Sequence, residues 1–235
     1  VGPELQVNTE TTGNQRRPTI TRLNDGGFFI TWESYGQDGQ GNGVFGQKFT
    51  GSGTPAGSEI QINNTILGDQ KRPQIANLSS GNFIVTWSSE ANGEYDIYGK
   101  IFDSNANALG NDFQINTSQA HVLSQTVEHS SGDIVFRSSV AGLPDGSFVV
   151  VWAGFNGAAE SYDIKGQRLD QSGVALGSEF IINTDNLGYQ VEPAIAALDN
   201  GNFVTLWHSR YPEDHNDHIK GQLFSVSASS GSSSS

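Results

Sequence analysis

An apolar run ending in tryptophan occurs four times in this chain, and any fold must accommodate that repetition. The copies are Phe28-Phe29-Ile30-Thr31-Trp32, Phe83-Ile84-Val85-Thr86-Trp87, Phe148-Val149-Val150-Val151-Trp152 and Phe203-Val204-Thr205-Leu206-Trp207. Their tryptophans lie 55, 65 and 55 residues apart. Three further markers keep the same order around each run. An acidic residue opens a short apolar stretch ending in asparagine, at Glu4 to Asn8, Glu59 to Asn63, Asp112 to Asn116 and Glu179 to Asn183. A glycine opens another strand, at Gly46, Gly99, Gly166 and Gly221. A Gln-x-x-Pro stands at Gln15-Arg16-Arg17-Pro18, Gln70-Lys71-Arg72-Pro73 and Gln190-Val191-Glu192-Pro193. The third repeat lacks this last motif and carries about ten extra residues around positions 130–139, which accounts for the one long spacing. Periods of this length mark repeat architectures in which each unit buries its face on a neighbour.

Each repeat reads as strands. Thr19-Ile20-Thr21-Arg22-Leu23 and Gln74-Ile75-Ala76-Asn77-Leu78 alternate with period two. Turn residues such as Asn24-Asp25-Gly26-Gly27 and Ser79-Ser80-Gly81-Asn82 then lead into the tryptophan run, which is a hairpin signal. The run is β-branched and aromatic on both faces, as expected of a strand buried on both sides. No helix-length periodicity appears. Four antiparallel strands per unit predict an all-β chain, a four-bladed β-propeller. The repeat is out of phase with the chain. It starts on a fourth-strand segment, residues 4–8, and its last unit stops at a third strand near Phe224. The expectation is therefore a ring closed by the N-terminal strand, which would remove both exposed sheet edges. The boundaries read as one propeller domain over 1–226, with repeats at about 4–58, 59–111, 112–178 and 179–224, and a Ser-rich flexible tail or linker over 227–235.

The chain carries 12 Lys+Arg against 25 Asp+Glu, a net charge of −13. That balance argues against nucleic acid or an anionic membrane as partner, because phosphate binding needs clustered cations. No apolar stretch approaches membrane-spanning length, so no membrane insertion is expected. With no cysteine there is no disulfide framework and no thiol nucleophile. The absence of methionine, an initiator included, reads as a processed chain or a segment of a larger protein.

Taken together, these four motifs over residues 4–224 resemble the tandem repeats of very large bacterial secreted or surface proteins, of the RTX-type adhesin and hemolysin-like calcium-binding kind. The resemblance implies a secreted or cell-surface location and a place within a larger protein, but no activity. The nonapeptide glycine-aspartate array that often accompanies such proteins is absent from this chain.

Alternation of strand direction puts the loops before the first strand and after the second strand of each unit on one face. Those after the second strand each hold a tyrosine and an aspartate: Tyr35 and Asp38, Tyr95 and Asp96, Tyr162 and Asp163, Tyr211 with Asp214 or Asp217. An aromatic plate beside a carboxylate can hold a sugar ring by stacking and hydroxyl contacts, and four copies would give multivalent capture. The same residues also serve as edge covers and turn closers. Asp38, Asp96 and Asp163 are the candidate metal ligands, with calcium the cofactor the loops suggest, although the alternating aspartates and closing glutamate of a strong calcium loop are missing. Arg17 and Arg72, with Arg16 and Lys71, could meet an anionic sugar through guanidinium contacts, or pair with nearby carboxylates. His208, His215 and His218 with Asp214 and Asp217 offer a weaker zinc pattern.

No Gly-x-Ser-x-Gly, His-Glu-x-x-His or phosphate loop appears, and no two carboxylates stand out. The sequence therefore reads first as a non-catalytic, carbohydrate-binding (lectin-like) or adhesive module, with no enzyme activity, taking a glycan or other cell-surface ligand. Two alternatives remain: a carbohydrate-active enzyme (glycoside hydrolase or lyase) using carboxylates from unlike loops, and a ligand-free structural spacer.

Overall fold

A computed structural model describes residues 2, 4–91, 94–117, 121–122, 137–156, 161–185, 187–211 and 216–226. The Ser-rich tail, most of the extra segment in the third repeat, and the candidates Asp214 and His215 lie outside the described residues. The described chain is all-β. Unit one comprises β1 (Gln15–Arg22), β2 (Phe28–Tyr35), β3 (Asn42–Phe49) and β4 (Ile60–Gln61). Unit two comprises β5 (Gln70–Asn77), β6 (Phe83–Ala91), β7 (Glu94–Phe102) and β8 (Phe113–Gln114), and β9 (His121–Val122) also pairs with β7. Unit three has β10 (Ser138–Gly142), β11 (Phe148–Phe155), β12 (Tyr162–Leu169) and β13 (Phe180–Ile181). Unit four has β14 (Tyr189–Ala197), β15 (Phe203–Arg210) and β16 (Asp217–Phe224). Within each unit the strands pair antiparallel in sequence order.

The predicted hairpins form. Leu23, Leu78, Leu143 and Leu198 each donate N–H to a carbonyl four residues on, at 2.8 Å. Gly26, Gly81, Gly146 and Gly201 sit at φ between 84° and 92°, a left-handed conformation that a side chain would strain. The glycine of the third strand has a different reason. A Cβ at Gly46 would stand 2.4 Å from the Phe29 ring, so only glycine lets that ring cross β3.

The tryptophan strands of units two and three, β6 and β11, are buried on both faces, as expected, because each lies between two sheets. In unit four β15 departs from that expectation, with Leu206 exposed, because no sheet follows it. At the first junction Leu23, Phe29, Val44 and Ile62 meet Phe83, Val85, Trp87 and Phe102, and the Phe29 and Phe83 rings lie 4.7 Å apart. Equivalent clusters seal units two to three and three to four. The Gln-x-x-Pro glutamine has a structural duty. Gln70 Oε1 accepts the Trp87 indole N–H at 3.0 Å, and Gln190 accepts that of Trp207 at 2.9 Å. Among the described residues two buried indole nitrogens lack such a partner: Trp152, whose repeat has no such glutamine, and Trp32, where Gln15 bonds Thr12 and Ser34 instead. The motif asparagine closes units one to three. Asn63, Asn116 and Asn183 accept the N–H of Val44, Ile97 and Ile164 at 2.6–2.7 Å.

The expected closed ring is not formed. Units three and four join through a parallel pair, Tyr162 with Tyr189, but no strand among the described residues pairs with the outer edge of β16. Residues 4–8 form no ladder; they lie instead beside unit one. Thr9 donates its N–H and hydroxyl to Glu59 Oε2, at 2.7 and 2.9 Å. The same clasp ties Asn64 to Asp112 at 2.6 Å and Thr117 to Glu179, between consecutive fourth strands. The N-terminal segment thus takes the place that the fourth strand of a preceding unit would have.

Candidate functional site

Among the described residues, loops before first strands and after second strands meet on one rim. Tyr35 donates its N–H to the Asn14 carbonyl at 3.0 Å, Glu90 to Asp69 at 2.8 Å and Tyr162 to Gly188 at 3.3 Å. In units one, two and four the innermost strand slips register here, between Arg16 and Thr19, Lys71 and Gln74, and Val191 and Ala194. Within each slip the residue before proline adopts a left-handed backbone: Arg17 at φ 53°, Arg72 at 57° and Glu192 at 53°. A residue with a side chain pays about 1 kcal/mol or more for that conformation, and bulges of this kind re-aim a side chain out of the ladder.

In unit one the bulge brings Arg17 onto Glu33. The guanidinium lies 2.8 Å from Glu33 Oε2, and the Glu33 side chain is almost wholly buried while that of Arg17 is partly exposed. The other carboxylate oxygen, Oε1, accepts the backbone N–H of Arg72 from unit two. A buried carboxylate persists only when paired and hydrogen-bonded, and here both oxygens are engaged from two different units. Beside this pair, Asp69 accepts the N–H and side-chain amide of Asn42, at 2.8 and 2.9 Å, and pairs with Lys71. Burial alone would raise the Asp69 carboxyl, but the hydrogen bonds from Lys71 and Asn42 outweigh it and hold it below the ordinary value. Tyr95 donates its hydroxyl to Glu90 at 3.0 Å. Burial first, then that bond and the Glu90 charge, push its hydroxyl well above the usual tyrosine value, while the Arg72 charge opposes them.

The candidates read from sequence have unlike places. Tyr35 ends β2 and is exposed. Tyr95 and Tyr162 stand at the start of third strands, and Tyr211 follows β15. The four tyrosines therefore do not form one repeated binding element. Tyr162 is a core residue stacked on Tyr189, with centroids 6.1 Å apart, and burial pushes its hydroxyl up to about 12. Tyr211 donates to Asp185 at 2.6 Å and lies beneath Lys220. Asp96 and Asp163 accept the side-chain amides of Asn116 and Asn183, at 2.7 and 2.8 Å, and Asp163 is buried. They hold the asparagine clamps. Unit one has Gly43 at that position, and Asp38 Oδ2 fills the space a side chain there would need; Asp38 also closes its turn by accepting the Gln40 N–H at 3.1 Å. Asp217 lies 2.9 Å from His208. Among the described residues no three His, Asp or Glu side chains gather as a metal site needs, so the expected calcium set Asp38, Asp96 and Asp163 is not assembled. The physical reason is topological: one aspartate per unit spreads the set over three sheets.

Arg17 and Arg72 are the two candidates that the structure brings together, and the group between them, Glu33, was missed by sequence reasoning. A signal existed. The residue after each repeated tryptophan is Glu33, Ser88, Ala153 and His208, a variable position beside a constant one.

No family model matches the chain, and no curated protein matches it. Its fold is similar to solved structures. An endo-arabinase from Bacteroides thetaiotaomicron superposes with a TM-score of 0.55 at 14% identity, covering 94% of this chain and 80% of that one. A protein of unknown function from Dyadobacter fermentans gives 0.60 at 11% identity, covering 88% and 65%. An α-L-arabinofuranosidase from Fusarium graminearum, bound to an iminosugar inhibitor, gives 0.55 at 10% identity, covering 88% and 56%. These likenesses establish a propeller-like β fold. They also correct the expectation of a non-catalytic lectin-like or adhesive module with no enzyme activity. Two of these three neighbours are carbohydrate-cleaving enzymes, so the alternative of a carbohydrate-active enzyme is the reading carried forward. Among the described residues no helix is long and apolar enough to cross a membrane.

Proposed function

We propose that the chain is a glycoside hydrolase acting on an arabinose-containing polysaccharide, with its site on the rim where units one and two meet. The observation that carries this is Glu33: a buried carboxylate at a variable position beside the repeated tryptophan, held by the Arg17 guanidinium of one unit and the Arg72 backbone N–H of the next. Repetition builds the scaffold, while catalysis needs an asymmetric group of acid, base and charge stabiliser. Glu33, Asp69 and Glu90 supply the carboxylates, and Arg17 and Arg72 supply fixed positive charge. In the reaction one carboxyl gives its proton to the leaving oxygen as the glycosidic C–O bond breaks, and a second, ionised carboxylate takes a proton from the water whose oxygen bonds to the anomeric carbon. The two arabinose-directed neighbours support the substrate class. A polymer substrate of this kind lies outside cells, which accords with a secreted or surface location.

The test is release of reducing ends from arabinan, compared with xylan and other polysaccharides. The wild-type chain should release them, and Glu33→Gln should lower the rate at least about 100-fold, the usual worth of one acid–base group, with tryptophan fluorescence unchanged. No release from any polysaccharide, or full activity in Glu33→Gln, Asp69→Asn and Glu90→Gln alike, overturns the proposal.

A further inference from the structure

The last unit presents a face that every other unit buries. Ile219 is 77% exposed, whereas its counterparts Val44, Ile97 and Ile164 are 0–1% exposed. Leu206 is 46% exposed where Thr31, Thr86 and Val151 are all sealed, and Leu223 is 58% exposed where Ile101 is buried. Leu198 is 36% exposed against 0–1% for Leu23, Leu78 and Leu143. In units one to three these positions meet the following unit. The first unit shows the matching half. Ile20 is 62% exposed, while its counterparts Ile75 and Ile195 pack on the preceding unit. Contiguous exposed apolar surface of this kind marks an interaction site, and an unpaired strand edge beside it adds backbone donors and acceptors.

We infer that these two faces bind each other between copies of this chain, head to tail, so that β16 of one copy takes residues 4–8 of the next as its missing fourth strand. The three internal junctions supply the pattern. Gly46, Gly99 and Gly166 each pair with the second residue of the fourth-strand motif, Ile60, Phe113 and Phe180. The same register puts Leu5 opposite Gly221. It puts Val7 where Ile62, Ile115 and Ile182 are buried, and Asn8 Oδ1 where it accepts the Ile219 N–H. Asn8 is unused for that duty within the chain, since its Oδ1 accepts from Gln6 at 2.5 Å. A second copy is favoured over the chain's own N-terminus because within one chain both faces stay open, Ile20 at one end and Ile219 at the other, and residues 4–8 do not pair with β16, while the Thr9–Glu59 clasp holds that segment as the paired fourth strands are held. Contacts of this head-to-tail type are heterologous and give rings or open chains.

Sedimentation of the 235-residue chain across a concentration series tests this, with hydrogen exchange at the Ile219 amide. The wild type should reach a mass at least twice its 25.1 kDa, with slower Ile219 exchange as it assembles. Ile219→Lys and Ile20→Lys, both at exposed sites, should each be monomeric alone. Mixed, they should form a one-to-one pair that grows no further, because each retains the half that the other lacks. Asn8→Ala should weaken assembly at least tenfold. A wild type that stays monomeric overturns the proposal. If its Ile219 amide is then protected, the chain closes on its own N-terminus; if unprotected, the face has another occupant. Assembly that survives both lysine variants overturns it too.

Discussion

Ile97 and Ile219 occupy the same position on the third strand of their units, two residues before the repeated glycine, yet one is sealed between sheets and the other faces solvent. The surrounding motifs are nearly identical. The difference is therefore not local propensity but the presence or absence of a following sheet. The same contrast separates Asn116 from Asn8. One closes its unit by accepting the Ile97 N–H, and the other carries the same motif with no third strand to clamp. A repeat unit of this type is half a core, and its apolar pattern gains free energy only when a neighbour arrives.

The largest expected effect is at that isoleucine. Ile97→Ala should cost about 2–5 kcal/mol in urea unfolding, through lost burial and the cavity left behind. Ile219→Ala, measured at concentrations where the chain is monomeric, should change stability by less than about 0.5 kcal/mol. Equal losses at the two sites would break the comparison. A smaller difference is expected at the asparagines. Asn116→Ala leaves the Ile97 N–H buried without an acceptor and strips the amide from Asp96, a loss of about 1–3 kcal/mol. Asn8→Ala should leave the stability of the monomer unchanged in the same measurement. The smallest effect is pH dependence in the third junction. Burial raises Tyr162 from 10.0 to about 12, so the folded chain keeps that proton where the unfolded chain has lost it. Stability from this group is whole below pH 10 and declines as pH rises from 10 to 12. Tyr162→Phe should flatten that part of the alkaline unfolding profile, and an unchanged slope would place the titration elsewhere.

Much of the fold was legible because strands write a period of two, and turns write their glycines at fixed offsets. The four-unit order, the hairpin at Gly26 and its counterparts, and the doubly buried tryptophan strands of units two and three all follow from those two signals. The site was less legible. Asp96 and Asp163 resemble ligand carboxylates in a list of loop residues, but their pairing with Asn116 and Asn183 depends on a strand some twenty positions away. The tyrosines looked like one repeated element because spacing in a loop does not reveal which strand each side chain leaves. Glu33 was hidden for the opposite reason. It lies inside an apolar-looking strand, and its partners Arg17 and Arg72 reach it only through bulges and a neighbouring unit.

The amino-acid order by itself determined the unit: four strands, their turns, the face that must be buried, and the asparagine that ties units one to three together. These are interactions among residues close along the chain or repeated at a fixed period, and their physics is the same in every copy. Whether the units meet end to end, and which carboxylate is held between the Arg17 guanidinium and the Arg72 backbone N–H, was settled only in three dimensions. Both depend on how one finished sheet lands on another, where contact area and charge pairing are summed over residues that no sequence window contains.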